Sequence, residues 1–200
     1  MSRLLSSLAA TALTLTTLTA LTATAFAGDV TGSVSAPVPK NRAYAVVFVR
    51  NAGLEPATEL AKMDQLGLLF APRVVAVQKG GTVKFTNSDP VGHNVYTPDG
   101  EKYDLGTWPK GESKDRLFPT TGAFRQLCHV HDDMMGWVVV TDSKFHAVSD
   151  KAGAFELKGL PPGKYTLGIW HEKLVGDDVT VEVPATGNPP PVTFTLKPKA

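Results

Sequence analysis

The chain's only cysteine lies in Leu127-Cys128-His129-Val130-His131-Asp132-Asp133-Met134-Met135-Gly136-Trp137. Cys128 offers a thiolate, His131 an imidazole three residues on, and Met134 a thioether three beyond that. Upstream, Asn87-Ser88-Asp89-Pro90-Val91-Gly92-His93-Asn94-Val95 carries a further imidazole. Two histidines, one thiolate and a weak axial methionine form the ligand set of a type 1 (blue) copper centre, whose chemistry is one-electron transfer. Metal binding would take the proton from Cys128, since a coordinating thiol is deprotonated outright.

The compartment fits a thiol that something must occupy. Arg3 gives a basic start, an Ala/Leu/Thr run without charge follows to Phe26, and Ala25-Phe26-Ala27 supplies small residues at the −3 and −1 positions. Residues 1–27 therefore read as a secretory signal peptide cleaved after Ala27, with too many threonines for a good membrane span. The expected location is periplasmic or secreted. A single cysteine forms no internal disulfide, and a free thiol in an oxidising compartment invites intermolecular pairing unless a metal holds it. Cleavage removes Arg3 alone among the charged residues, which leaves the basic side chains in balance with the 19 acidic ones. That balance argues against nucleic acid and against an electrostatic membrane patch as partners, and no other stretch suits stable membrane insertion.

The elements that must position these ligands read as short strands between Gly/Pro turns. Ala45-Val46-Val47-Phe48-Val49, Val74-Val75-Ala76-Val77, Thr82-Val83-Lys84-Phe85-Thr86 and Trp137-Val138-Val139-Val140 are strand-like. Tyr165 to Trp170 and Val192 to Leu196 alternate apolar and polar, the latter after a Pro-rich linker at Pro189-Pro190-Pro191. Close spacing of such runs predicts an all-β sandwich. Only Glu55 to Gln65 reads as a short helix.

The segment from about Phe70 to Val140 resembles a cupredoxin domain of the plastocyanin type. Phe70-Ala71-Pro72, Val77-Gln78-Lys79-Gly80-Gly81-Thr82-Val83-Lys84-Phe85-Thr86-Asn87, His93-Asn94-Val95, Gly122-Ala123-Phe124, Cys128-x-x-His131 and Met134 carry it, together and in order. With Met63-Asp64-Gln65, Asn87-Ser88-Asp89 and Trp170-His171-Glu172, the chain is similar to bacterial exported cupredoxin proteins of the methylamine-utilisation-like type. The resemblance implies a Greek-key β-sandwich, places His93 at the metal beside Cys128 and His131, and gives Asn94 the asparagine that ties the two ligand loops together. Plastocyanin-like loops place methionine five residues after the histidine, a pattern met neither by Met134 nor by Met135. His131-x-x-Met134 instead resembles the purple-copper domain of cytochrome oxidase subunit II, whose binuclear site needs a second cysteine that this chain lacks. Met134 is therefore read as axial, and Met135 as packing inward or over the site. His129 neighbours Cys128 but should point to the opposite strand face, so it reads as a surface or outer residue rather than part of an oxidase cluster.

The ends of the chain have their own logic. Residues 150–157 and 159–167 resemble the second half of a carboxypeptidase-regulatory-like sandwich, while Val30-Thr31-Gly32-Ser33-Val34 and Ala45 to Val49 resemble its first half. The expected organisation is a small sandwich begun by residues 28–52 and completed by residues 141–200, a connecting segment at 53–69, and a cupredoxin domain at 70–140 inserted between the halves. The function this implies is one-electron transfer between redox protein partners by one copper ion cycling between Cu(II) and Cu(I), not enzymatic turnover. The rivals are a copper carrier or sensor, and a binding module with an accessory metal site.

Overall fold

The computed structural model describes residues 27–53 and 57–199, so the expected leader lies outside the described residues except for Ala27. Strands β1 (Gly28–Ser35), β2 (Val46–Val49), β3 (Leu60–Gln65), β4 (Phe70–Ala71), β5 (Val74–Gln78) and β6 (Thr82–Asn87) come first. Then follow β7 (His93–Thr97), β8 (Tyr103–Trp108), β9 (Ser113–Leu117), β10 (Gly122–Leu127), β11 (Met135–Thr141) and β12 (His146–Val148). The chain ends with β13 (Ala154–Leu160), β14 (Gly163–Trp170), β15 (Leu174–Val175), β16 (Val179–Val183), β17 (Val192–Thr195) and β18 (Lys197–Pro198). Among the described residues the one helical element is a single 3-10 turn, Pro39–Arg42, and no helix is long and apolar enough to cross a membrane. The protein is all-β, as expected.

The strands form two sandwiches. In the first, the sheet β13-β1-β17 faces the sheet β12-β2-β14-β16. β1 runs antiparallel to β13 and parallel to β17, and β2 is antiparallel to β12 and β14, so both ends of the chain share these sheets. Inward residues of both sheets make one apolar core, including Val30, Val34, Phe155, Leu157 and Phe194 against Val47, Val49, Leu167 and Val181. Alternation dictates this: in β13, Phe155 and Leu157 point in and Glu156 and Lys158 point out, and a register shift before Leu160 returns that residue to the buried face.

In the second sandwich, β5-β11-β10-β7-β8 faces β4-β3-β6-β9. The chain crosses between these sheets from β5 to β6, β6 to β7, β8 to β9 and β9 to β10, which gives the Greek-key connectivity. Its core holds Met63, Val83 and Phe85 from one sheet and Val75, Val77, Val95, Phe124, Val138 and Val140 from the other, together with Cys128 and Met134.

A third apolar cluster joins the two sandwiches and explains a feature of the sequence. β5 reads Val-Val-Ala-Val with no polar alternation because both of its faces are covered. Val75 and Val77 point into the second sandwich, while Val74 and Ala76, with Val139 of β11, pack against Val46 and Phe48 of β2, Val148 of β12 and Trp170 of β14. The Trp137 and Trp170 rings meet at 5.2 Å between centroids. Beside them, Glu172 Oε2 accepts from Arg73 at 2.8 Å and from the Trp137 indole N–H at 3.0 Å. Burial opposes the Glu172 charge, but these two bonds hold its carboxyl below the usual range.

The helix expected over Glu55 to Gln65 is not what forms. Residues 55 and 56 lie outside the described residues, and residues 60–65 are β3, parallel to β6 from Leu60↔Thr82 to Gln65↔Asn87. Leu-Ala-Lys-Met-Asp-Gln is a good helix former by propensity. The pleat buries Met63 and Gln65, and six ladder positions outweigh the local preference.

Where the sandwiches meet, His146 Nε2 lies 3.1 Å from Glu59 Oε1, and Glu59 Oε2 accepts the Gln78 N–H at 3.0 Å. Burial pushes the His146 pKa down to about 4, and raises that of Glu59 against the Gln78 bond. Between about pH 6.5 and 4 the unfolded chain therefore protonates His146 while the folded one does not, so stability falls as the pH drops through that window. The cost is about 3 kcal/mol at ~1.4 kcal/mol per unit, with protonation of Glu59 offsetting part of it. Denaturant midpoints of the metal-free protein at pH 7 and pH 4.5, beside His146→Leu, check this; an equal loss in the variant contradicts it.

Candidate metal centre

The centre is assembled at one pole of the second sandwich from the loop entering β7 and the loop joining β10 to β11. Asn87, the last residue of β6, shapes the first loop. Its side-chain Nδ2 donates to Val91 O at 2.9 Å and Trp108 O at 3.0 Å, and its Oδ1 accepts the Asp89 N–H at 2.9 Å. This folds residues 88–92 back on themselves, as an asparagine-led turn does, and delivers His93 as the first residue of β7 with no exposed surface.

Cys128 follows β10 directly and is 3 % exposed. The tight loop continues through the half-buried His131, whose carbonyl accepts the Met134 N–H at 3.1 Å. Met134 is fully buried in the same apolar cluster as Cys128. Met135 opens β11, pairs with Leu127, and lines a groove with Tyr44, Leu66, Leu69 and Phe70.

The structure brings His93, Cys128 and His131 together, one donor atom from each lying within 4.8 Å of the others. The two Nδ1 atoms are 3.1 Å apart, and Cys128 Sγ is 4.0 Å from His93 Nδ1. Metal–nitrogen bonds of ~2.0–2.1 Å and metal–sulfur bonds of ~2.3 Å allow separations up to about 4.1 Å between two nitrogens and about 4.4 Å between nitrogen and sulfur. Both distances fall inside those limits, while the remaining pair, Cys128 Sγ and His131, is held only to within 4.8 Å, so one ion takes all three donors once the half-buried His131 ring closes on it by a few tenths of an ångström. Imidazole and thiolate donors suit copper, zinc and other soft or borderline metals, while magnesium and calcium prefer oxygen.

Asn94 bridges the two loops. Its backbone N–H points at Cys128 Sγ (3.4 Å), its Oδ1 accepts the His129 N–H (3.4 Å), and its Nδ2 donates to Asp104 Oδ1 (2.6 Å). His129 turns outward, stacked on Tyr96 with centroids 3.7 Å apart and its Nε2 3.4 Å from Asp104 Oδ2. It takes no part in the donor cluster, and it lies in the bend after β10 rather than on a strand, held outward by the Tyr96 stack and Asp104. Asp104 is held below the usual carboxylate range by the Gly106 N–H, against burial, with help from Asn94 and His129.

One neighbour of the donor cluster escapes the sequence reading. Asp89 Oδ2 lies 2.8 Å from His93 Nε2, and the same carboxylate accepts the N–H groups of Gly67 (2.6 Å) and Leu68 (2.9 Å). Burial alone would raise its pKa, but the bonds from Leu68, Gly67 and His93 outweigh burial and keep it low. The only local signal is an acid four residues before a candidate ligand, on a turn that must fold back.

No family model matches the chain, and no curated protein sequence does. Several solved structures are similar in part. A Cu-containing nitrite reductase from Thermus scotoductus SA-01 aligns at 24% identity and TM-score 0.41 over 46% of this chain and 24% of its own length. The present chain thus spans about a quarter of that enzyme. A purple cupredoxin from Nitrosopumilus maritimus aligns at 21% identity and TM-score 0.38, covering 40% of this chain and 99% of its own. A variant of amicyanin in the reduced Cu(I) form aligns at 22% identity and TM-score 0.39, over 47% of this chain and 97% of its own.

Proposed function

We propose that the protein is an exported type 1 copper protein that passes single electrons between redox protein partners. The observation that carries the reading is the cluster of two imidazole nitrogens and one thiol sulfur within 4.8 Å, set in a buried cup. His93, Cys128 and His131 would hold one copper ion, with Met134 as the axial contact, Met135 beside it, and Asn94 bonding the thiolate sulfur. Copper held there supplies a Cu(II)/Cu(I) couple; the chain's own part is to keep the donors still and water out. His93 is pinned by its loop, Cys128 by the end of β10 and the Asn94 N–H, and Met134 by the core, so neither oxidation state need rearrange its ligands. Four protein donors leave no position open for a substrate, and for that reason we read the site as a carrier of electrons rather than an enzyme.

The half-buried His131 is the proposed electron exit. Aliphatic side chains are exposed on the two loops that build the centre, Val91 before His93 and Val130 beside His131, and on the 66–69 turn that holds Asp89, at Leu66, Leu68 and Leu69. Such a rim suits brief docking with redox proteins better than nucleic acid or stable insertion into a membrane. Reading residues 1–27 as a cleaved leader, we assign the mature protein to the periplasm or the cell exterior. We also read the cupredoxin domain as an insertion into the small carboxypeptidase-regulatory-like sandwich, and the chain as kin to exported methylamine-utilisation-like cupredoxins; no residue of the centre speaks to amines.

Voltammetry of the copper-loaded protein with a Cu(I) chelator present tests the reading. A reversible one-electron wave that persists with the chelator fits electron transfer, while rapid surrender of Cu(I) would favour a carrier. The same experiment distinguishes the two methionines. Met134→Leu will shift the potential and the visible spectrum, and Met135→Leu will leave both close to wild type; the reverse pattern would make Met135 axial.

A further inference from the structure

Asp89 does more than shape a turn. We propose that it is a positioning residue for the metal centre: its carboxylate fixes the His93 ring with a bare Nδ1 toward the metal and, through that ring, favours Cu(II) over Cu(I). The proposal rests on the copper reading above.

His93 is fully buried, so its Nε2 must find its partner inside the protein. The partner is a carboxylate that also accepts the backbone N–H groups of Gly67 at Oδ1 and Leu68 at Oδ2. An anionic carboxylate only accepts, so Nε2 carries the proton and Nδ1 keeps its lone pair. That lone pair lies 3.1 Å from His131 Nδ1 and 4.0 Å from Cys128 Sγ, which aims it at the donor cluster.

The hairpin that supplies the two N–H groups is built for this contact. Gly67 and Leu68 are consecutive residues with positive φ, +67° and +59°. Leucine rarely adopts that conformation, and here it turns two successive N–H groups onto one carboxylate, as an anion-binding nest does. A conformation held at some cost, on one acid that touches a ligand, marks Asp89 as more than a solvated turn residue.

The electrostatic consequence follows from charge. The Cys128 thiolate and the Asp89 carboxylate together balance a divalent ion. Reduction adds one electron to Cu(II), gives Cu(I), and leaves one negative charge uncompensated in a buried site. A carboxylate across the ring also makes the ligating nitrogen more basic, and outer partners of this kind typically change metal affinity by about 10- to 100-fold. Both effects favour the oxidised form.

The test is the reduction potential of the copper-loaded full chain beside Asp89→Asn and Asp89→Ser. Both variants should bind Cu(II) about 10- to 100-fold more weakly relative to Cu(I). At ~59 mV per tenfold for one electron, this is a rise of about 60–120 mV, with the thiolate-to-copper band retained. An unchanged potential with the band retained overturns the proposal. Should neither variant fold, the 15N imidazole spectrum of the diamagnetic Cu(I) wild type decides: a slowly exchanging proton on His93 Nε2 supports it, and a freely exchanging one overturns it. Absence of the thiolate band from wild type overturns the copper reading itself, and this proposal with it, so the two failures are distinct.

Discussion

Replacing Cys128 with serine will abolish the intense visible absorption of the Cu(II)-loaded protein. The band needs a thiolate bound to copper, and Cys128 is the chain's only sulfur of that kind. Serine is nearly isosteric, and the Asn94 N–H that points at Sγ from 3.4 Å can bond a hydroxyl in its place. Burying a hydroxyl costs about 1–3 kcal/mol in proteins, and the Asn94 bond offsets part of it, so the metal-free variant should still fold and loss of colour will report a lost ligand rather than a lost fold. What remains for copper is a pair of imidazoles beside a hydroxyl, a harder and weaker set. Absorption spectra of both proteins, with urea midpoints of their metal-free forms, check this. A band surviving in the variant would remove Cys128 from the centre.

The largest effect on stability is expected from Phe85→Ala. Phe85 is fully buried in the second sandwich, on the inward face of β6 between Val83 and Asn87. β6 is held on both sides, parallel to β3 and antiparallel to β9, so the backbone cannot collapse to fill the space. Truncations of this kind cost about 3–5 kcal/mol, a large part of the roughly 5–15 kcal/mol that folds a typical domain. At roughly 2–4 °C per kcal/mol for a chain of this size, the metal-free Tm should fall by about 6–20 °C. Copper that binds only the folded state restores part of this, about 4 kcal/mol at a thousandfold excess over Kd. Thermal melts with and without copper check both statements, and a loss below about 1 kcal/mol in the metal-free form would contradict the packing described.

How far the sequence speaks depends on how local the cause is. Cys128, His131 and Met134 fall within one short loop, so their ligand character shows in the spacing itself. The β runs are equally legible, since alternation and turn residues are properties of adjacent positions. β3 is not, because Leu60 to Gln65 carries helix-forming residues and becomes a strand only through β6, twenty-two positions away. Its strand lies inside the stretch read as a connecting segment. Asp89 shows the limit most clearly. As sequence it is an acid on a turn, and its three donors come from residues 67, 68 and 93 by a fold-back that no local pattern specifies. The apolar seam between the sandwiches is half legible: unbroken Val-Val-Ala-Val announces two covered faces, but not that Phe48 and Trp170 cover one of them.

The central claim is that one ion is held by two imidazoles and a thiolate. The most direct measurement is the EPR and visible spectrum of the wild-type protein loaded with one equivalent of Cu(II). The account predicts an intense thiolate-to-copper absorption together with the narrow hyperfine splitting of a copper whose unpaired spin is shared with sulfur. A nearly colourless protein with the wide splitting of ordinary nitrogen- and oxygen-bound Cu(II) would contradict it.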